Sequence, residues 1–276
     1  MYWAMSADDY REGLGLQPGC RVDGLILHGC AQEYPLAMMH DALSALGHET
    51  GMTAPVASLP TLRAATVDGH TLWHARVYGG ALACELTHLA CVFGSGCAVF
   101  VGTCGGLLDD AEAGDHLVPD AVYADESSTR AYEGPDGDRL HRVDSSLSGE
   151  LVRALTDTGH PVRRGCTVTT HQAQLAKSWA DIKAWCDEGW AAVEMEAASV
   201  LAPATAFAIP AAAILVIADN LVAGQSVFDP EIRAGRTRRR AALAAAYTAS
   251  LPVMLARLGA AAASAAEPLL IPEVVL

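Results

Sequence analysis

No two of the eight cysteines form a C-x-x-C pair, and no H-E-x-x-H run gathers any of the ten histidines. A disulfide framework or a structural zinc site needs such clustering. The expectation is therefore reduced, buried thiols in a cytoplasmic protein, with no metal. No run of 18 apolar residues is free of both charge and proline, so no membrane span is expected. The acidic start, Met1 to Tyr10, lacks the charged-then-apolar layout of a secretion signal. Positive charge is scarce too: 18 Lys and Arg face 32 Asp and Glu, a net charge of −14. Nucleic-acid backbones and anionic membranes would be repelled. The one basic group, Arg233, Arg236 and Arg238 to Arg240, reads as the start of a solvated helix.

What is present is apolar: 51% hydrophobic residues against 18% charged, with no polar low-complexity tract, over 276 residues. Such a chain is globular and long enough to bury a large core. Val22–His28, Ala98–Val101, His116–Tyr123, Gly165–Thr169 and Ala211–Ile217 read as strands. Thr66–Tyr78 alternates like a hairpin turning at Asp68-Gly69. Helical spacing marks 7–15, Ala31–Leu46, Ala81–Phe93, Ser146–Thr158, Gln174–Glu188 and Pro230–Leu258. The polar stretch Asp125–Asp138 reads as a loop. Strands alternating with helices predict an α/β three-layer sandwich, its central sheet twisted, mixed and mostly parallel, flanked by helices. No linker divides the chain, so residues 1–276 are expected as a single domain with its core over 22–258 and a loose tail after 266.

Three stretches carry chemistry. In Val193-Glu194-Met195-Glu196-Ala197, two carboxylates stand two residues apart in an apolar run. Burying them costs several kcal/mol unless something pairs with them. A sugar diol can supply hydroxyl protons while methionine packs on the ring. Paired arginines on a surface helix would satisfy the carboxylates equally well. Asp219 ends a strand, where α/β sheets place ligand groups, and can act as a general acid; as a lone aspartate it can equally be a helix N-cap. Gly102-Thr103-Cys104-Gly105-Gly106 reads as a glycine turn whose N–H groups can face an anion or a ribose. Together these form the walls of one small-molecule pocket.

In order and spacing, from about Val22 to Leu258, these elements with Gly114-Asp115 resemble the nucleoside phosphorylase and nucleosidase superfamily. That superfamily includes purine nucleoside phosphorylase, uridine phosphorylase and methylthioadenosine/adenosylhomocysteine nucleosidase. The resemblance implies an enzyme that cleaves an N-glycosidic bond, with Glu196 on the ribose hydroxyls, Met195 packed on the sugar and Glu194 beside it. Thr103, Cys104 and Gly105 belong to the same substrate wall. Asp219 matches the acid that protonates a purine, which tilts the expected base toward purine or a purine analogue. The resemblance also implies a homo-oligomer, a small nucleoside as partner and no cofactor beyond phosphate as a possible co-substrate.

Two departures bear on the nucleophile. Phosphorylases carry an arginine where this chain has Phe100, and another within the segment that reads here Gly29-Cys-Ala-Gln-Glu33. Losing two guanidinium groups removes the bidentate grip on phosphate. Glu33 lies within one residue of the place where the hydrolytic branch carries a base that activates water, though a surface glutamate fits as well. Hydrolysis is thereby narrowly favoured. Phosphorolysis remains open if Arg63, Arg76 or Arg130, in cis or from a neighbouring subunit, rebuilds the anion site. A nucleoside-binding protein that has lost turnover is a third reading, disfavoured by the retained Asp219. A specialised role on an unusual nucleoside is a fourth. The family's base-stacking aromatic falls at Ala173, with Trp179 or His171 as substitutes.

Overall fold

The computed structural model describes residues 5–29, 35–47, 51–52, 59, 61–133 and 137–264. In chain order its strands are β1 (Gly24–Gly29), β2 (Gly51–Met52), β3 (Leu62–Val67), β4 (His70–Val77) and β5 (Cys97–Gly106). There follow β6 (His116–Asp125), β7 (Leu140–Arg142), β8 (Val162–Thr170), β9 (Ala192–Glu194) and β10 (Ala211–Asn220). The helices are α1 (Ala7–Gly13), α2 (Pro35–Ala45), α3 (Gly80–Val92), α4 (Ser145–Asp157), α5 (Trp179–Asp187), α6 (Ala197–Ala206), α7 (Pro230–Ala234) and α8 (Arg236–Ser264).

The hairpin turn forms where the sequence places it. Asp68 and Gly69 both take positive φ, 50° and 81°, as a two-residue turn between β3 and β4 requires. Along β1 and β5 side chains alternate between two buried faces. Leu25, Leu27, Ala98 and Phe100 join α3 and α6, while Ile26, Val99 and Val101 join α2, α4 and α8. The near-continuous apolar runs in the sequence reflect this double burial. The result is a mixed α/β sheet between two helical layers, its longest ladders, β5–β10 and β6–β8, parallel.

One feature was not legible in the alternation. β5 pairs with β10, β10 with β6, β6 with β8, β8 with β9, and β9 again with β5. Five strands thus close a ring, and β1, β4, β3 and β2 extend from its β5 side.

Two local expectations are corrected. Gly102–Gly106 is no turn but the second half of β5, paired with β10 and β9. Its glycines clear space instead: a Cβ on Gly102 would meet the Phe100 ring at 2.7 Å, and one on Gly105 would meet Leu221 at 2.5 Å. The helix expected from Gln174 begins only at Trp179, after a 3-10 turn over Gln174–Ala176 and an extended Lys177. Ser178 sets that start, its hydroxyl accepting from the Asp181 N–H while Asp181 reciprocates.

α8 is long and apolar enough, by length and composition, to cross a membrane, yet half of that stretch is buried within the fold, packed against α2 and α4. Among the described cysteines all are free; Cys84, Cys91, Cys97 and Cys104 are buried, whereas Cys20, Cys166 and Cys186 are only half-buried, which corrects the expectation for those three. The tail after 266, and residues 31–34 of the expected helix at Ala31, lie outside the described residues.

Candidate active site

β9 ends at Glu194 and α6 begins at Ala197, so the two glutamates flank a strand-to-helix corner with Met195 between them. Glu194 folds back over the new helix. Its Oε2 accepts the N–H groups of Glu196 (2.7 Å) and Ala197 (2.6 Å), and its Oε1 accepts the Thr169 hydroxyl. A carboxylate over a helix N-terminus meets both unpaired donors and the positive end of the dipole. Thr169 Oγ1 in turn accepts from Ala198 N at 2.9 Å, tying β8 to the same corner. The partners are backbone and hydroxyl groups, so surface arginines are not what satisfies this pair.

Glu196 differs. Its Oε1 accepts the Gly79 N–H at 2.6 Å. Burial pushes the pKa of both glutamates upward, and the charge of Glu194 adds to the push on Glu196. Asp219 sits at the end of β10, buried, and accepts the Val227 N–H at 2.9 Å. That bond pins the following loop and caps no helix. Burial raises the Asp219 carboxyl to about 6, so near neutral pH it can both hold and release a proton.

These groups meet in one cavity of about 530 Å³. Of the residues singled out from the sequence, Glu194, Met195, Glu196, Asp219, Thr103, Cys104 and Gly105 line it. Phe100 does not. It lies beneath the floor, 1% exposed, its ring filling the space where a Cβ on Gly29 would come within 2.5 Å. Ala173 is exposed and also outside the wall, and His171 turns its Nδ1 to the Asp125 carbonyl oxygen at 2.9 Å. Trp179 does line the cavity, with its ring end 3.5 Å from where a Cβ on Gly224 would stand. Gly224 is favoured there by its positive φ of 73°, not by crowding. Glu33 lies outside the described residues.

None of Arg63, Arg76 and Arg130 lines the cavity, and Arg130 pairs with Glu133 at 2.9 Å. Asp115 of the Gly-Asp pair is structural: buried, it takes Arg163 at 2.9 Å and Arg238 at 3.1 Å. Sequence reasoning missed Lys177, a half-buried cation in the wall among Asp219, Glu194 and Glu196. The helical periodicity assigned from Gln174 onward hid it within a helix. It also missed Phe228, exposed on the loop after β10 and part of the same lining.

A family model described as the phosphorylase superfamily matches residues 80–251. The guanosine phosphorylase of Halorubrum lacusprofundi is 33% identical over 123 residues, which is 45% of this chain and 50% of that protein. The chain thus spans about half the length of this curated relative. Among solved structures, the Helicobacter pylori methylthioadenosine/adenosylhomocysteine nucleosidase has a TM-score of 0.62 at 18% identity, covering 85% of this chain and 99% of that one. A Vibrio fischeri uridine phosphorylase has a TM-score of 0.68 at 14% identity, with 90% and 95% covered. At these identities the two structures establish a shared fold.

Proposed function

The chain belongs to the phosphorylase superfamily, and from that premise we propose that its cavity cleaves the N-glycosidic bond of a purine or purine-like nucleoside, by hydrolysis. The observation that carries this reading is the convergence of Asp219 and the Glu194–Glu196 corner on one cavity. Breaking the bond leaves positive charge on the sugar and negative charge on the base. Asp219, as the acid, gives its proton to a base nitrogen as the C–N electron pair moves onto the base. Glu196 holds the ribose hydroxyls through its carboxylate and Met195 packs on the sugar. Glu194, its oxygens taken up by Thr169 and the α6 N–H groups, positions the corner rather than touching the sugar.

Water is favoured as nucleophile because no arginine lines the cavity among the described residues and Phe100 occupies a dry position. Glu33 is the proposed base for that water. A second reading, phosphorolysis, is favoured by the guanosine phosphorylase relative, whose name implies phosphate as the nucleophile. A homo-oligomer belongs to either reading.

The test is base release from adenosine, inosine, guanosine, methylthioadenosine and uridine, with and without phosphate. The expected outcome is purine release indifferent to phosphate. Release that needs phosphate replaces hydrolysis by phosphorolysis, and release of uracil alone overturns the purine reading.

A further inference from the structure

The sequence contains only two lysines, Lys177 and Lys183, among 18 basic residues. Lys183 is exposed and paired with Asp187 at 2.6 Å. Lys177 is placed quite differently. It occupies the single extended residue between a 3-10 turn and the N-cap of α5, and its side chain enters the cavity wall. Among the described residues it is the one cation of that wall, and no ion pair or hydrogen bond engages it there. Asp219 exerts the largest attraction on it, ahead of Glu194 and Glu196. A lysine serving only to neutralise the carboxylates would close onto one of them. This ammonium keeps three donors for a ligand, in a cavity that Asp219 also lines.

We propose that Lys177 is a specificity-determining residue that selects nucleosides of 6-oxopurines over those of 6-aminopurines. The inference rests on the purine reading given above. The edge of a purine that carries N7 presents two acceptors, N7 and O6, in a 6-oxopurine; in adenine it presents the N7 acceptor and the N6 amino donor. Protonated Asp219 and the Lys177 ammonium together present two donors. Donor–donor meets acceptor–acceptor in hypoxanthine and guanine, whereas the adenine amino group would face an ammonium with nothing to accept. As the N9–C1′ bond breaks, its electron pair spreads over the base onto N7 and O6. Asp219 protonates the nitrogen, and the ammonium meets the oxygen without transferring a proton. Burial lowers the Lys177 pKa, and the neighbouring carboxylates oppose that shift.

The experiment compares wild type, Lys177→Met and Lys177→Arg by kcat/KM for inosine and adenosine, with phosphate varied, and by calorimetric binding of hypoxanthine and adenine. Wild type should prefer inosine. In Lys177→Met the inosine-to-adenosine ratio should fall roughly 10- to 100-fold, the worth of one charged hydrogen bond, with the hypoxanthine-to-adenine binding ratio falling alongside. Lys177→Arg should retain part of both ratios. A wild type that prefers adenosine overturns the inference and leaves glycosidic cleavage standing. An equal loss on both nucleosides overturns it as well, as does a rise confined to the KM for phosphate, which would make Lys177 an anion site. If no nucleoside is cleaved, the function proposed above falls, and the two free-base affinities still decide the role of Lys177.

Discussion

The corner between β9 and α6 and the crossing from β8 to α5 face each other across one cavity, and they are built on opposite terms. At the corner the carboxylates have internal partners: Glu194 takes the Thr169 hydroxyl and two backbone N–H groups, and one oxygen of Glu196 takes the Gly79 N–H. At the crossing, Trp179 is 65% exposed, and Lys177, half-buried in the cavity wall, makes no hydrogen bond or ion pair there with the described residues. The corner is pre-organised, so whatever binds there meets a fixed shape with little further ordering cost. A sugar is common to all nucleosides and a base is not, so on the proposed reading the fixed end would take the sugar and the open end the base.

The comparison breaks first at the proton donor. Asp219→Asn should lower purine cleavage by roughly 100- to 10,000-fold, the usual worth of a general acid. In wild type, kcat/KM should fall as pH rises through about 6, because the protonated form is then lost, and the variant should lose that limb. The same substitution should raise the melting temperature above pH 6. A carboxyl raised in the folded state contributes stability that is present below its unfolded value of 3.8 and lost as pH climbs through about 6. An unchanged rate would remove Asp219 as the acid. Glu196→Gln should cost roughly 100- to 1,000-fold in kcat/KM with the circular dichroism spectrum retained; near-normal turnover would end the ribose assignment.

Smaller effects sharpen the contrast between the two regions. Thr169→Val strips the hydroxyl from Glu194 and leaves the Ala198 N–H without its acceptor, so thermal or urea unfolding should register a loss of about 1–3 kcal/mol. Trp179→Ala should leave the melting temperature almost unmoved and raise KM severalfold, since an exposed ring contributes to the ligand and little to the core. If Trp179→Ala proved the more destabilising of the two, the division into a fixed and an open end would be wrong.

The corner was legible because chemistry and pattern coincide there: two acids in an apolar run demand an explanation from the sequence alone. The hairpin at Asp68-Gly69 was legible for a similar reason, since only certain residues accept those dihedrals readily. Gly102–Gly106 misled because glycine has two uses, turning a chain and making room. The partners that decide between them, Phe100 and Leu221, become evident only when strands are paired. Lys177 was hidden by a periodicity that continues smoothly through Gln174–Glu188, although Ser178 with Asp181 three residues later marks the true helix start. Ring closure depends on β9 reaching both β8 and β5 with three residues, a short strand that local pattern does not reveal.

That ring has a consequence for how the molecule tolerates change in length. Adding or deleting one residue inside β5, β6, β8, β9 or β10 shifts a register shared around a closed circuit, so a slip has to be taken up as a bulge, as it is between Ile217 and Asp219 and between Pro119 and Ala121. The crossing from β8 to α5 carries no such constraint between Thr170 and Ser178. Descendants of this chain can therefore gain or lose residues at the crossing while the β9–α6 corner stays fixed, so on the proposed reading new substrates would be reached through insertions and deletions at one lip of the cavity.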